Sequence, residues 1–178
     1  MSLQKYLQHE LSVNLEGSNS LVVAEPGMGA LAHLYTDIQE LSKLVNESVT
    51  VVNVDATMLD RIGSNGLDLQ DAHKIAAAKN AVLVIESDNA TTAQINLVCE
   101  LMVERKPHNV DISHAHVVLF THDPSNIPAA LLTKVTVFPE NALETTINPG
   151  LKERVAVRRA EQAVCLPYDQ HPDVKSNM

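Results

Sequence analysis

Glu86 and Asp88 stand two residues apart, just beyond the apolar run Ala81-Val82-Leu83-Val84-Ile85, and Asp55 and Asp123 follow two other apolar runs in the same way. Carboxylates grouped at the ends of buried strands could hold a hard divalent ion. The plainer alternative is that they cap turns and helices or lie solvated at strand ends. His114, His116 and His122 offer imidazole ligands. An extended strand rises about 3.3 Å per residue, so His114 and His122 lie about 26 Å apart, and one ion cannot reach both ends. A His114–His116 pair is what the spacing leaves, and no complete metal site is expected.

The segment Ala24-Glu25-Pro26-Gly27-Met28-Gly29-Ala30-Leu31 follows the apolar run Leu21-Val22-Val23 and precedes a helical pattern. A strand, a glycine turn and a helix in that order form an anion cradle, because backbone N–H groups and the positive helix end converge on one point. The phosphate-binding pattern G-x-x-x-x-G-K-[ST] adds a Lys for the terminal phosphates and a hydroxyl for Mg²⁺. Here Ala30 stands at the Lys and Leu31 at the hydroxyl. Gly27 and Gly29 equally serve a plain strand-to-helix turn that needs a permissive backbone.

The elements that must position these residues follow from periodicity. Leu3, Leu7 and Leu11 form one stripe of a helix over 2–11, and Ser20–Ala24 reads as a first strand. Leu31, Leu34, Ile38, Leu41 and Leu44 predict a helix from Gly29 to about Val45. Val49–Val54 is a β-branched run, expected to be covered on both faces. Leu67–Ala78 reads as a helix, Ala81–Ile85 as a strand, and Thr91–Glu104 as a helix whose Ile95, Val98, Leu101 and Met102 face the sheet. His116–Thr121 is a strand, Ile127–Leu132 a short helix, Val135–Phe138 a fifth strand, and about 151–164 a last helix before a polar tail over 166–178, expected to be disordered. Strands alternating with helices predict an α/β fold with a five-stranded, mainly parallel sheet and helices on both faces, one domain over 1–165.

Composition narrows the function. The 178 residues carry 22 acidic against 13 basic side chains, a formal charge of −9, which argues against a nucleic-acid backbone as partner. Aromatics make up 3%, with no Trp, so base-stacking platforms are not expected. Cys99 and Cys165 lie far apart and fit reduced thiols, Cys99 buried and inert. No run has the length of a membrane helix, and a cytoplasmic location is expected. Arg154, Arg158 and Arg159 make a basic turn flanked by Glu153 and Glu161, which reads as a solvated helix face.

Three segments in this order resemble the AAA+ ATPase core, within it the MoxR-like and dynein-related branch. AEPGMGAL at 24–31 is similar to the G-x-P-G-x-G-K-[ST] loop, VLVIES at 82–87 to the Walker B strand, and VVLFTHDPSNIPAALLTKV at 117–135 to the sensor-1 strand and its sequel. The resemblance covers about residues 1–140 and implies a P-loop NTPase-like fold. It also places Ala30 and Leu31 at the phosphate and Mg²⁺ positions, Glu86 at the Walker B Asp, Ser87 at the Glu that polarises water, His122 at the sensor-1 Asn and Lys134 at the arginine finger. The resemblance implies a helical lid after the core, and the residues after Glu140 are expected to form one helix and a tail and not that lid.

What the resemblance implies is therefore a scaffold without its chemistry. A lost general base costs about 10²–10⁴ in rate, and an arginine finger is worth about 10³–10⁵. The expectation is a pseudo-ATPase that acts as an assembly, adaptor or regulatory module through protein partners or self-association. Gly27, Met28, Gly29, Ala30 and Leu31 would be a vestigial phosphate loop, with Glu86, Asp88 and His122 the vestigial remainder, and neither ATP nor Mg²⁺ is expected as a cofactor. The alternative is a nucleotide- or phosphate-binding ATPase with displaced groups, Lys43, Lys134 or a neighbouring subunit supplying the positive charge.

Overall fold

A computed structural model describes residues 2–13, 16–27, 29–59, 67–139 and 142–144. All of them belong to the unit Met1–Thr145. The helix expected at 151–164, the tail, Cys165 and Arg154, Arg158 and Arg159 lie outside the described residues, as does Met28.

The elements run α1 (Leu3–Val13), β1 (Asn19–Val23), α2 (Ala30–Gln39), α3 (Leu41–Val45), β2 (Thr50–Asp55), α4 (Leu69–Ala77), β3 (Ala81–Glu86), α5 (Thr92–Glu104), β4 (His116–Thr121), α6 (Ala129–Leu132) and β5 (Thr136–Pro139). The five strands form one sheet in the order β2-β3-β4-β1-β5, every pair parallel. This is the α/β, P-loop NTPase-like architecture expected from the sequence.

Alternation along the strands divides the core into two layers. Leu21, Leu83, Ile85, Val117 and Leu119 pack with Ala72 and Ile75 of α4 and Leu97, Val98 and Leu101 of α5. Val22, Val82, Val84, Val118 and Phe120 pack on the other face with Leu3 and Leu7 of α1, Leu34 and Ile38 of α2 and Leu41 of α3. β3 is buried at Ala81–Ile85 and β4 throughout, as central strands of a parallel sheet must be.

β2 is covered on both faces as expected, Val52 and Val54 packing in one layer and Val51 in the other, yet it is an edge strand with Asn53 and Asp55 exposed. An apolar run reports strand propensity, whereas position in the sheet depends on which neighbours pair. The single helix expected from Gly29 to Val45 is two, because the chain turns at Glu40 and restarts as α3 against α1.

At the amino-terminal end of the sheet, Arg105 holds the layers in register. It ends α5 in the left-handed conformation at φ 56° and is 6% exposed. Its guanidinium donates to Met102 O (3.0 Å), Ser18 O (3.0 Å), Ala115 O and Asn19 Oδ1, tying α5 to the starts of β1 and β4. Every one of these acceptors is neutral, and burial pushes the Arg105 pKa down to about 10. Gly17 lies so close that a Cβ there would collide with Ala115 O and Arg105 Nη1.

Candidate functional site: the crevice between β1 and β4

In open parallel sheets, ligands bind beyond the carboxyl ends of strands where successive connections leave to opposite sides. Here β1 connects toward β2 through α2 and α3 on one face, while β4 connects toward β5 through α6 on the other. The crevice therefore opens between the ends of β1 and β4. Of the residues singled out in the sequence, Glu86, Asp88 and His122 lie at the strand ends on this side, and Gly27, Gly29, Ala30 and Leu31 follow β1.

The loop leaving β1 carries two glycines in special backbone conformations. Gly27 (φ 86°) and Gly29 (φ 66°) lie in the left-handed region, and Gly29 is the N-cap of α2, which begins with His33 N–H on Gly29 O at 3.2 Å. A Cβ on Gly27 would meet open space, so conformation and not crowding is what requires glycine there. Ala30, at the phosphate-Lys position of the resemblance, is 5% exposed and packs in the layer with Val22, Ala24 and Phe138. Leu31 packs half-buried against the same layer.

The crevice is stitched across by His122. Its Nδ1 lies 2.7 Å from Ala24 O, so the ring proton sits on Nδ1 and is donated to the last carbonyl before the loop. Its Nε2 faces Asp88 Oδ2 at 3.6 Å, and its ring meets Phe120 edge-on with centroids 5.2 Å apart. The backbone continues the stitch, with Ala24 N–H on Thr121 O at 3.1 Å. Asp88 does not cap α5, whose N-cap is Thr91 in a capping box with Gln94. Instead its Oδ1 accepts His122 N–H (2.9 Å) and Thr121 Oγ1–H (3.3 Å), joining the ends of β3 and β4.

Glu86 is likewise occupied. Tyr35, one turn beyond Leu31 on α2, donates its hydroxyl to Glu86 Oε2 at 3.2 Å. Burial, then the nearby charges of Glu86 and Asp55, push the Tyr35 pKa up to about 12, so the phenol keeps its proton. Ser87 is 2% exposed, and both its N–H and its Oγ–H go to Phe120 O, at 3.0 and 3.1 Å. That hydroxyl is a cross-strand tie.

The remaining carboxylates follow the plain alternative. Asp55 accepts Thr57 N–H at 2.9 Å, and Asp123 accepts Ser125 N–H at 3.0 Å, the Ser125 hydrogen bonds holding the Asp123 carboxyl below its usual range. No group of three or more His, Cys, Asp or Glu among the described residues could hold a metal ion. The His114–His116 pair does not form one: His114 precedes β4 and turns Nε2 to Ile75 O and Ala78 O at the end of α4, while His116 turns Nδ1 to Ser18 N–H. Lys43 is exposed on α3 and Lys134 is exposed after α6. Cys99 is half-buried, and burial raises its pKa, which fits an unreactive thiol.

Tyr35 is the residue that sequence reasoning missed. Its place four residues after Leu31 puts it on the helix face that meets the sheet, and that spacing was the available signal. Its pairing with Glu86, 51 residues away, was not legible locally.

No family model matches the chain, and no curated protein matches it. Solved structures do. Two mutants of Thermotoga maritima RuvB match with 15% and 16% identity over 91% and 90% of this chain and 52% of theirs, at TM-scores of 0.45 and 0.42. A DNA polymerase III gamma subunit-related protein from Thermotoga maritima matches with 13% identity over 94% of this chain and 54% of that one, at a TM-score of 0.46. The chain thus spans about half the length of these structures. No helix among the described residues is long and apolar enough to cross a membrane.

Proposed function

We propose that this chain is a catalytically silent, AAA+-like domain of the MoxR-like and dynein-related type, working as an assembly, adaptor or regulatory module through protein–protein contacts. The observation that carries the proposal is the His122–Ala24 hydrogen bond across the crevice, at 2.7 Å, in company with Tyr35 on Glu86. Each side chain at a catalytic position of the resemblance is either a replacement, as at Ala30, Leu31 and Lys134, or engaged with its own chain, as at Glu86, Ser87 and His122.

Electrostatics support the same conclusion. A nucleotide brings several negative charges, and the crevice offers the carboxylates of Glu86 and Asp88 with Ala30 where a lysine would be. Leu31 cannot ligate a hard cation that would neutralise them. The two left-handed glycines favour a second reading, in which backbone N–H groups alone hold a phosphate-bearing ligand without turnover.

The proposal is tested by nucleotide turnover and by sedimentation on the same sample. It expects no Mg²⁺-dependent phosphate release above buffer and concentration-dependent self-association, or association with a partner domain. Turnover that disappears in Glu86→Gln would instead establish an enzyme with displaced groups.

A further inference from the structure

At the opposite end of the sheet, between α1, the end of α4 and the start of β4, lies a cavity of about 320 Å³. Its apolar floor is Leu11, Ala76 and Ala78, and its polar groups are His114, His116 and Asn80, with Lys79 at the edge. We propose that this cavity binds a small neutral amide, a molecule presenting a carbonyl oxygen beside an N–H on an apolar body.

The donor is His116. The side chain is 1% exposed, and its Nδ1 accepts Ser18 N–H at 3.1 Å, so the single proton of the neutral ring sits on Nε2. Both hydrogen bonds of the His116 ring to described residues fall on Nδ1, from Ser18 N–H and the Ser18 hydroxyl, which leaves Nε2 without a partner among them, and His116 lines the cavity. A buried N–H left facing a cavity is a costly group that a carbonyl oxygen satisfies.

The acceptors are beside it. His114 Nε2 lies 2.8 Å from Ala78 O and 3.1 Å from Ile75 O, so Nε2 carries the proton and Nδ1 keeps a lone pair. Asn80 is 7% exposed, and its Nδ2 donates to Glu47 Oε2 (2.8 Å) and Ser48 O (3.4 Å), which leaves Oδ1 to accept. One donor and two acceptors match the C=O and N–H of an amide. Charge excludes an anion, because Lys79 is already paired with Glu47 at 2.8 Å and the Glu10 carboxylate acts on His116 from α1. The volume is at the small end of ligand pockets, which suits a single ring.

The test is a titration of benzamide into the ¹⁵N-labelled chain, followed through long-range imidazole correlations. The expected result is a saturable shift at His116 Nε2 and His114 Nδ1, with benzoate binding at least about tenfold more weakly because it carries charge and lacks the N–H. Ala76→Leu, at a half-buried floor position, should abolish the shift while leaving the rest of the amide spectrum in place. Absence of a shift at either histidine up to about 20 mM benzamide, equal binding of benzoate, or unchanged binding in Ala76→Leu would each overturn the proposal.

Discussion

His122, just after β4, donates from Nδ1 to the carbonyl of Ala24, just after β1, and so spans the crevice in which an open parallel sheet ordinarily receives its ligand. One hydrogen bond, between residues 98 apart in sequence, fastens the entry of the glycine loop to the neighbouring strand.

His122→Ala removes that donor and the imidazole facing Asp88. The expected cost is about 1 kcal/mol, since the site is partly exposed and water can replace the lost partner. Urea unfolding should show a lower midpoint at unchanged slope. Amide exchange should accelerate at Gly27 and Gly29 and stay unchanged at β3.

Tyr35 titrates against its own fold. Its folded pKa, about 12, exceeds the ordinary value of 10, so the native state holds the proton longer than the unfolded chain does. Its stabilisation is complete below pH 10 and is lost as pH rises from 10 toward 12. The wild type should lose stability in that window, and Tyr35→Phe should flatten the loss, with phenolate absorbance reporting the ionisation.

His116 gives the opposite dependence. Burial, the largest cause, brings its pKa down from 6.5 to about 4, with Arg105 and His114 adding to the fall and Glu10 opposing it. The unfolded chain takes up a proton below 6.5 while the native state does not, so stability falls as pH drops from 6.5 to about 4 and this contribution then levels off. The full effect is on the order of 3 kcal/mol. His116→Asn retains an acceptor for Ser18 N–H and should remove the slope in that window, measured by thermal unfolding in a series of buffers.

Arg105 and Gly17 form one packed unit, so their substitutions should not add. Arg105→Lys strands acceptors at Met102, Ser18, Ala115 and Asn19 and is expected to cost about 3 kcal/mol. Gly17→Ala forces a Cβ onto a backbone carbonyl and should cost a similar amount. A double-mutant cycle by chemical denaturation should give less than the sum.

Much of the architecture was legible because each signal is local. The runs at Ala81–Ile85 and His116–Thr121 mark the two central strands, and the Ile95, Val98, Leu101 and Met102 stripe marks the buried face of α5. The β2 run carried the same signal and lies at an edge, because sheet order depends on pairing that no single segment encodes. Ala30, Leu31, Glu86 and His122 were singled out through ordered resemblance, and Asp88 through its place just beyond a buried strand. What they do was not legible: Asp88 read as a helix cap and instead accepts from His122 and Thr121 across strands, while the capping went to Thr91. Tyr35 escaped notice since a tyrosine on a helix stripe reads as packing until its partner is known.

Whether the crevice is closed is tested most directly by calorimetric titration of ATP and ADP, with and without Mg²⁺, at about 100 μM protein so that weak affinities still give heat. The account predicts no saturable heat in any of the four titrations. Saturable, Mg²⁺-dependent binding that is lost in Glu86→Gln would contradict it, showing that Tyr35 and His122 yield the site to a nucleotide.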